Sequence, residues 1–246
     1  MRITMHTRCG SGRRRVALGL ALALAVLGLA ACGDGGAPQG AAPLRTGVES
    51  FTFLGMGRET ELGDRLRGEL AEKLGNAAVE QRGTIDLEAG APGLLDDRLP
   101  EIAALHRRLN SPPGERVEHD RTRLMYRYAR SREAPFDLVE LVFDPQTLRP
   151  LFFRMRFKKD DAGMVAALQE KHGPPEVDAA SGDGRTLAWR KEGDALLVAV
   201  VPDQFGNPVH HVAIYFTENL QRRIAAEQAQ AAEKAKEKQR SGKSAF

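Results

Sequence analysis

The side chains best suited to chemistry in this chain are histidines that lie beside one another or beside acidic residues. His210 and His211 are adjacent in an alternating, strand-like segment, so they point to opposite faces and cannot both bind one metal ion. The same alternation predicts His210 on the core side and His211 on the outer side. Glu118, His119 and Asp120 place an imidazole beside two carboxylates, as a general base requires, but such neighbours usually diverge, and we expect a surface turn. We therefore predict no metal site and no catalytic residue here.

Sequence motifs for catalysis and cofactor binding are missing as well. The chain has no G-x-S-x-G nucleophile elbow, H-E-x-x-H zinc motif or EF-hand loop. Ser241-Gly242-Lys243-Ser244 has the ending of a phosphate-binding loop, but Glu237 stands where the first glycine belongs. The sequence predicts a non-catalytic protein without cofactor or metal, and an enzyme with an unfamiliar site is one alternative.

The first 31 residues have the layout of a secretory signal peptide. An arginine-rich start ends at Arg15, and the apolar run over 16–31 is shorter than the roughly 20 residues that a membrane-spanning helix requires. The run ends in Leu29-Ala30-Ala31-Cys32, which resembles the lipobox of bacterial lipoproteins. An ordinary secreted protein cut at another place, or an uncleaved anchor, is the alternative.

The lipobox resemblance implies that Cys32 is acylated, for example with palmitate, and becomes the N-terminus after cleavage. Two or three acyl chains give stable membrane anchoring, whereas one chain binds only marginally. Cys9 leaves with the leader, so no thiol remains for a disulfide, a zinc site or a nucleophile. Gly33, rather than an aspartate, follows the cysteine, which favours the outer membrane. We predict a lipid-anchored protein of the cell envelope that faces the periplasm.

The charge balance of the mature chain differs from that of the whole sequence. The chain has 36 basic and 33 acidic residues and a sequence pI near 9.0. Five of the arginines and none of the acidic residues precede Ala31, so 31 basic and 33 acidic residues remain and the net charge is −2. The basic excess belongs to the leader, and we predict no nucleic-acid partner.

Composition divides the mature chain into three parts. Residues 32–50 comprise the acylated cysteine and a segment of mostly Gly, Ala and Pro, which is typical of a flexible tether. Residues 51–217 form the predicted α+β domain. Residues 218–246 are rich in Ala, Glu, Gln, Lys and Arg, and we expect a polar helix or a disordered tail.

The domain contains an apparent duplication. Residues 102–105, 110–113 and 124–127 (IAAL, NSPP and LMYR) are echoed in the same order at 165–168, 172–175 and 187–190 (VAAL, HGPP and LAWR). We therefore predict two tandem units of about 55 residues, over 100–158 and 160–217, each with one helix and a three-stranded antiparallel sheet. An additional N-terminal helix over 62–74, with leucines at i, i+4 spacing, precedes them.

Local signals set the predicted elements of each unit. Pro100 suits the first position of one helix, and Gly173-Pro174-Pro175 ends the other. The predicted strands cover 124–128, 138–143, 151–157, 187–190, 196–201 and 209–216, with a further short strand at 84–87. The segment 72–79 resembles 170–177, so 58–90 could be a third, decayed copy.

The outer face of the second sheet is predicted to be the less polar one. If the strands pair in chain order, that face presents Val198, Val200, His211, Ala213 and Tyr215. Such a face is either covered by another part of the chain, with the 62–74 helix the expected cover, or offered to a protein partner.

Helices ending in Gly-Pro-Pro or Ser-Pro-Pro before an antiparallel sheet, in tandem within 101–216, resemble small outer-membrane assembly lipoproteins and the β-lactamase-inhibitor-protein-like fold. The resemblance implies that sheet faces and loops bind other proteins of the envelope without catalysis. We predict a protein-binding or scaffolding module, and a periplasmic carrier of lipid or small molecules is the second alternative, which would need a roomy apolar cavity.

Overall fold

A computed structural model describes residues 50–75, 78–111, 117–126, 136–157, 162–181 and 184–244. Within these ranges the chain forms one antiparallel sheet of eight strands in the order β1-β2-β3-β4-β8-β7-β6-β5. The strands are β1 (Val79–Gly83), β2 (His119–Tyr126), β3 (Phe136–Phe143), β4 (Pro150–Phe157), β5 (Val177–Ser181), β6 (Gly184–Lys191), β7 (Asp194–Pro202) and β8 (Pro208–Tyr215).

Helices cover both faces of this sheet. They are α1 (Asp64–Leu74), α2 (Leu94–Arg98), α3 (Pro100–Leu109), α4 (Ala162–His172) and α5 (Thr217–Ser244). As predicted, α3 begins at Pro100, where the missing N–H leaves no helical hydrogen bond unmade. α1 ends at Gly75, whose φ of 80° is readily adopted by glycine.

Two apolar layers result, one on each face of the sheet. On the first face, α1, α4 and the N-terminal residues from Phe51 pack over side chains such as Phe153 and Ile214. On the second face, α2, α3, the start of α5 and the buried segment 85–89 pack over side chains such as Phe152 and Tyr215. The central strands are apolar on both sides because both sides are covered.

The prediction of two tandem units, each with one helix and three strands, is wrong. β4 pairs with β8 through six residue pairs, so all eight strands belong to one continuous sheet. The edge strands β1 and β5 also add a fourth strand to each half. Finally, α3 and α4, which carry the IAAL and VAAL sequences, contribute to opposite faces of the sheet and are not equivalent.

The helix equivalent to α4 by position is α1. Each has 11 residues, lies on the first face, and ends in a glycine with φ near 80°, Gly75 or Gly173. β1 begins at Val79, five residues after α1 ends, and β5 begins five residues after α4 ends. The likeness between 72–79 and 170–177 therefore falls on elements with matching positions, whereas the strand expected at 84–87 lies instead at Val79–Gly83.

The start of the described chain and the start of α5 meet at a buried carboxylate. Asp194, at the start of β7, accepts hydrogen bonds from the Ser50 hydroxyl and from the Thr217 backbone N–H, the latter at 3.0 Å. α5 then continues as a polar helix, with Leu220 and Ile224 buried. Among the described residues, no helix is both long enough and apolar enough to cross a membrane.

Candidate functional site

The five residues predicted to share one sheet face lie on both faces. Val198 is the cross-strand partner of Val212, and Ala213 is the partner of Leu197, so Val198 and Val200 belong to the first face. His211, Ala213 and Tyr215 belong to the second, as their mutual alternation predicts. The predicted alternation along β7 is therefore wrong by one residue, and a shift of one residue moves every side chain of a strand to the opposite face.

The predicted face is also largely covered. Val198, Ala213 and Tyr215 have no exposed surface, and Val200 and His211 are partly buried. The cover of the second face is the 85–89 segment with α3 and α5, whereas the expected cover, α1, packs on the first face. The Tyr215 hydroxyl donates to the Leu87 carbonyl at 2.9 Å, which ties this segment to the sheet.

One of the five residues, His211, lines a cleft at the end of the central strands. The cleft holds about 420 Å³, within the range of small-ligand and peptide-anchor sites. Its walls come from β3, β4, β7, β8 and the segment before α2, and include Gly90, Asp137, Arg156, Val201, Asp203 and His211.

A bidentate ion pair forms one wall of the cleft. The Arg156 Nε donates to one carboxylate oxygen of Asp137 at 2.8 Å, and Nη2 donates to the other at 3.1 Å. Because Arg156 is the direct cross-strand partner of His211, its charge lies beside the imidazole. The pair fixes a planar cation at the cleft while it neutralises the carboxylate.

His211 is uncharged at neutral pH. Burial, together with the positive charges of Arg156 and Arg154, lowers the pKa of its imidazole to about 4. No hydrogen bond or ion pair joins this ring to the described part of the chain. A general base is most effective when its pKa lies near the working pH, so His211 is a weak base here and is better suited to contact or hydrogen bonding.

Gly90 sets the depth of the cleft. Its φ of +89° strongly favours glycine, and a Cβ at this position would lie 3.2 Å from the Ala199 Cβ and 3.3 Å from the Val201 Cγ2. The backbone of the 84–90 segment therefore lies closer to β7 than any other residue would allow.

The β7–β8 hairpin presents an aromatic side chain beside the cleft. Phe205 is 77% exposed at the tip of this hairpin. The Asp203 carboxylate accepts from the backbone N–H groups of Phe205 and Asn207 at 2.8 and 2.9 Å, which orders the turn and lowers the pKa of Asp203. An exposed aromatic residue thus lies on an ordered turn next to the cleft.

Along the second face, the cleft continues into a strip of buried charges. Glu140 is 5% exposed and forms ion pairs with Arg154 and, at 3.0 Å, with Arg123. Arg154 Nη1 also donates to the Glu88 carbonyl at 2.7 Å. Arg121 lies at the far end of the strip with 1% exposure, and neither its Nε nor its Nη1 has a hydrogen-bond partner in the described part of the chain.

The other candidate residues have structural surroundings. His119 lies in β2 rather than in a surface turn, is 5% exposed, and contacts the α5 carboxylate of Glu227 at 2.7 Å through Nδ1. Glu118 lies in the segment leading into β2, and the side chain of Asp120 lies outside the described residues, as does Cys32. His210 is buried, as predicted. Within the described residues, no group of three or more His, Cys, Asp and Glu side chains could hold a metal ion.

Sequence reasoning missed the cleft because its walls come from five separate segments. The one available signal was the alternation that places His211 and Arg156 on the same side of neighbouring strands. Comparisons with profiles of protein families, with curated proteins and with solved structures find no match. The resemblance to assembly lipoproteins and to the β-lactamase-inhibitor-protein-like fold therefore stays a prediction.

Proposed function

We propose that this protein is a lipid-anchored protein of the bacterial envelope that binds another protein through the cleft and the β7–β8 hairpin, without catalysis. The observation that carries the proposal is Phe205, which is 77% exposed on the turn that follows Asp203, a residue of the cleft wall, and the same cleft contains an arginine. Aromatic residues and arginine are enriched at the centres of protein interfaces, where they contribute most of the binding energy.

The surroundings of Phe205 support protein binding over catalysis. Arg156 and Asp137 already engage each other, and the depressed pKa of His211 makes it a poor proton acceptor near neutral pH. A carboxylate of the partner could replace Asp137 in the ion pair with Arg156, while apolar side chains of the partner cover Phe205. This arrangement is typical of an interface with an aromatic and an arginine anchor.

The anchor part of the proposal rests on the sequence Leu29-Ala30-Ala31-Cys32 after a 16-residue apolar run. Metabolic labelling with palmitate tests it. We expect label in the wild-type chain and none in Cys32→Ala. Label that persists in the Cys32→Ala chain would contradict acylation at this cysteine.

The binding part is tested by a photo-reactive phenylalanine analogue placed at position 205 in living cells. The matched control carries the analogue at Val79, the other large apolar side chain exposed in the described residues, at 55%. We expect one discrete adduct from position 205 and none of the same size from position 79. No adduct at 205, or the same adduct at both positions, would overturn the proposed binding face.

A further inference from the structure

The first face of the sheet has an apolar crevice beneath α4. The crevice is partly enclosed, holds about 130 Å³, and has walls that include Phe51, Met155, Met164, Leu168, Val212 and Ile214. A cavity of about 150 Å³ in the core of an engineered protein binds benzene. The crevice therefore has room for one phenyl ring or a short branched alkyl group, and is too small for a long acyl chain.

Comparison of α4 with α1 shows why the crevice exists. Counted from the glycine that ends each helix, the leucine stripe Leu66, Leu70 and Leu74 of α1 corresponds to Met164, Leu168 and His172 of α4. Leu70 and Leu74 are 2% exposed, whereas no α4 side chain over 163–172 is fully buried. A flexible methionine and a histidine thus replace two leucines, and α4 leaves open the space that α1 closes.

The rim of the crevice is cationic. Lys171, adjacent to the half-buried His172, lines the opening, and its ammonium forms no ion pair with any described residue. Burial and the charges of Lys171 and Lys191 lower the pKa of His172, so the two charges that act on this imidazole are both positive. An apolar crevice whose rim carries a cation that pairs with no described residue is complementary to a molecule with an apolar body and an anionic end.

We propose that the crevice beneath α4 is a binding site for a small aryl or short-chain carboxylate, whose apolar part fills the crevice and whose carboxylate meets Lys171. The crevice lies on the first face and the cleft opens on the second, and the two adjoin at Phe157, which lines both.

The test titrates 3-phenylpropionate into soluble Cys32→Ala protein and follows the methionine methyl signals by NMR. Met155 and Met164 line the crevice, whereas Met125 lies on the other face of the sheet and serves as the internal reference. We expect saturable shifts of the Met155 and Met164 signals and no shift of the Met125 signal. The absence of saturable shifts at millimolar probe would overturn the site.

Lys171→Gln should weaken 3-phenylpropionate binding about fivefold, as expected for one exposed ion pair. Lys73→Gln, the equivalent change in α1, is the matched control and should leave binding unchanged. The neutral 3-phenylpropionamide should bind wild type and Lys171→Gln equally, and more weakly than the carboxylate binds wild type. Equal losses in both lysine variants, or equal affinities of amide and carboxylate for wild type, would overturn the role of Lys171.

Leu168→Trp, which fills the crevice, should abolish the saturable shifts of the Met155 and Met164 signals with either 3-phenylpropionate or 3-phenylpropionamide. An unchanged Met125 signal verifies that this variant is folded, and Met164→Phe fills the same space if it is not. Full binding by a folded filled variant would place the probe elsewhere and overturn the proposal.

Discussion

Replacing Arg121 by methionine should increase the free energy of unfolding, because the guanidinium is buried and two of its three nitrogen atoms have no hydrogen-bond partner among the described residues. Arg121 is 1% exposed, and its Nε and Nη1 have no hydrogen-bond partner among the described residues. Burial lowers the pKa of Arg121 from 12.5 to about 10, because the charged form is less favourable in the folded state than in water. Methionine keeps the apolar stem and removes the charge.

The magnitude follows from this pKa shift. At about 1.36 kcal/mol for each pKa unit, the shift from 12.5 to about 10 corresponds to roughly 3 kcal/mol of destabilisation by the charged form. We take this as an upper limit, since the unfolded chain also hydrates the stem and the nearby carboxylates of Glu140 and Asp86 attract the charge. With a urea m-value of about 2 kcal/mol/M, Arg121→Met should raise the unfolding midpoint by up to about 1.5 M.

The assay is urea unfolding at neutral pH, followed by the fluorescence of Trp189, the only tryptophan and a buried residue of the other apolar layer. Arg123→Met is the matched control on the same face of the same strand, because Arg123 forms an ion pair with buried Glu140. It should destabilise the protein by about 1 kcal/mol or more. If Arg121→Met destabilised the protein by as much as Arg123→Met, the charge of Arg121 would be stabilising in the folded state, contrary to this prediction.

Three other substitutions test separate parts of the structure. Gly90→Ala should lower the free energy of unfolding, measured in urea, by about 2–3 kcal/mol, because its φ is positive and its Cβ would contact β7. Gly206→Ala is the control, since Gly206 has a φ of +81° but open space around it, and should cost only about 1 kcal/mol. His211 takes up a proton near pH 6.5 in the unfolded chain but only near pH 4 in the folded protein, so acidification favours unfolding. Between pH 6.5 and pH 4 the free energy of unfolding of wild type should fall by up to about 3 kcal/mol, and that of His211→Gln should not show this loss. Equal pH profiles for these two proteins would contradict the low pKa. Tyr215→Phe should lose about 1–2 kcal/mol because the buried Leu87 carbonyl loses its donor, and an unchanged midpoint would show that this hydrogen bond is not stabilising.

Sequence reasoning succeeded where local chemistry determines the element. Pro100, Gly75 and Gly173 set helix ends correctly, and the six strands predicted from apolar runs are all present, with bounds that differ by a few residues; 127 and 128, predicted as the end of one strand, lie outside the described residues. β5 was missed because Val-Asp-Ala-Ala-Ser has little intrinsic strand preference, and the sheet neighbour β6 supplies its stability.

The faces of β7 could not be read from the sequence. Residues 195–201 are apolar without interruption, so no alternation distinguishes one side from the other, and only pairing with β8 decides that Val198 and Ala213 lie on opposite faces. Likewise, IAAL and VAAL are ordinary helix sequences and carry no information on which face of the sheet each helix covers. The cleft depends on such long-range choices, because Gly90, Asp137, Arg156 and His211 meet only when the sheet is assembled.

If a lipid-anchored chain binds a protein through the Phe205 hairpin, that partner should be captured in intact cells. We would cross-link intact cells that carry tagged wild type, Phe205→Ser or Val79→Ser, and purify under denaturing conditions, with soluble Cys32→Ala as the control for co-residence in the membrane. Both serine variants change exposed side chains and should leave stability within about 0.5 kcal/mol. We predict one partner near stoichiometry with wild type and Val79→Ser, and its loss with Phe205→Ser. Equal recovery with all three anchored proteins, or no partner above the Cys32→Ala control, would contradict the claim.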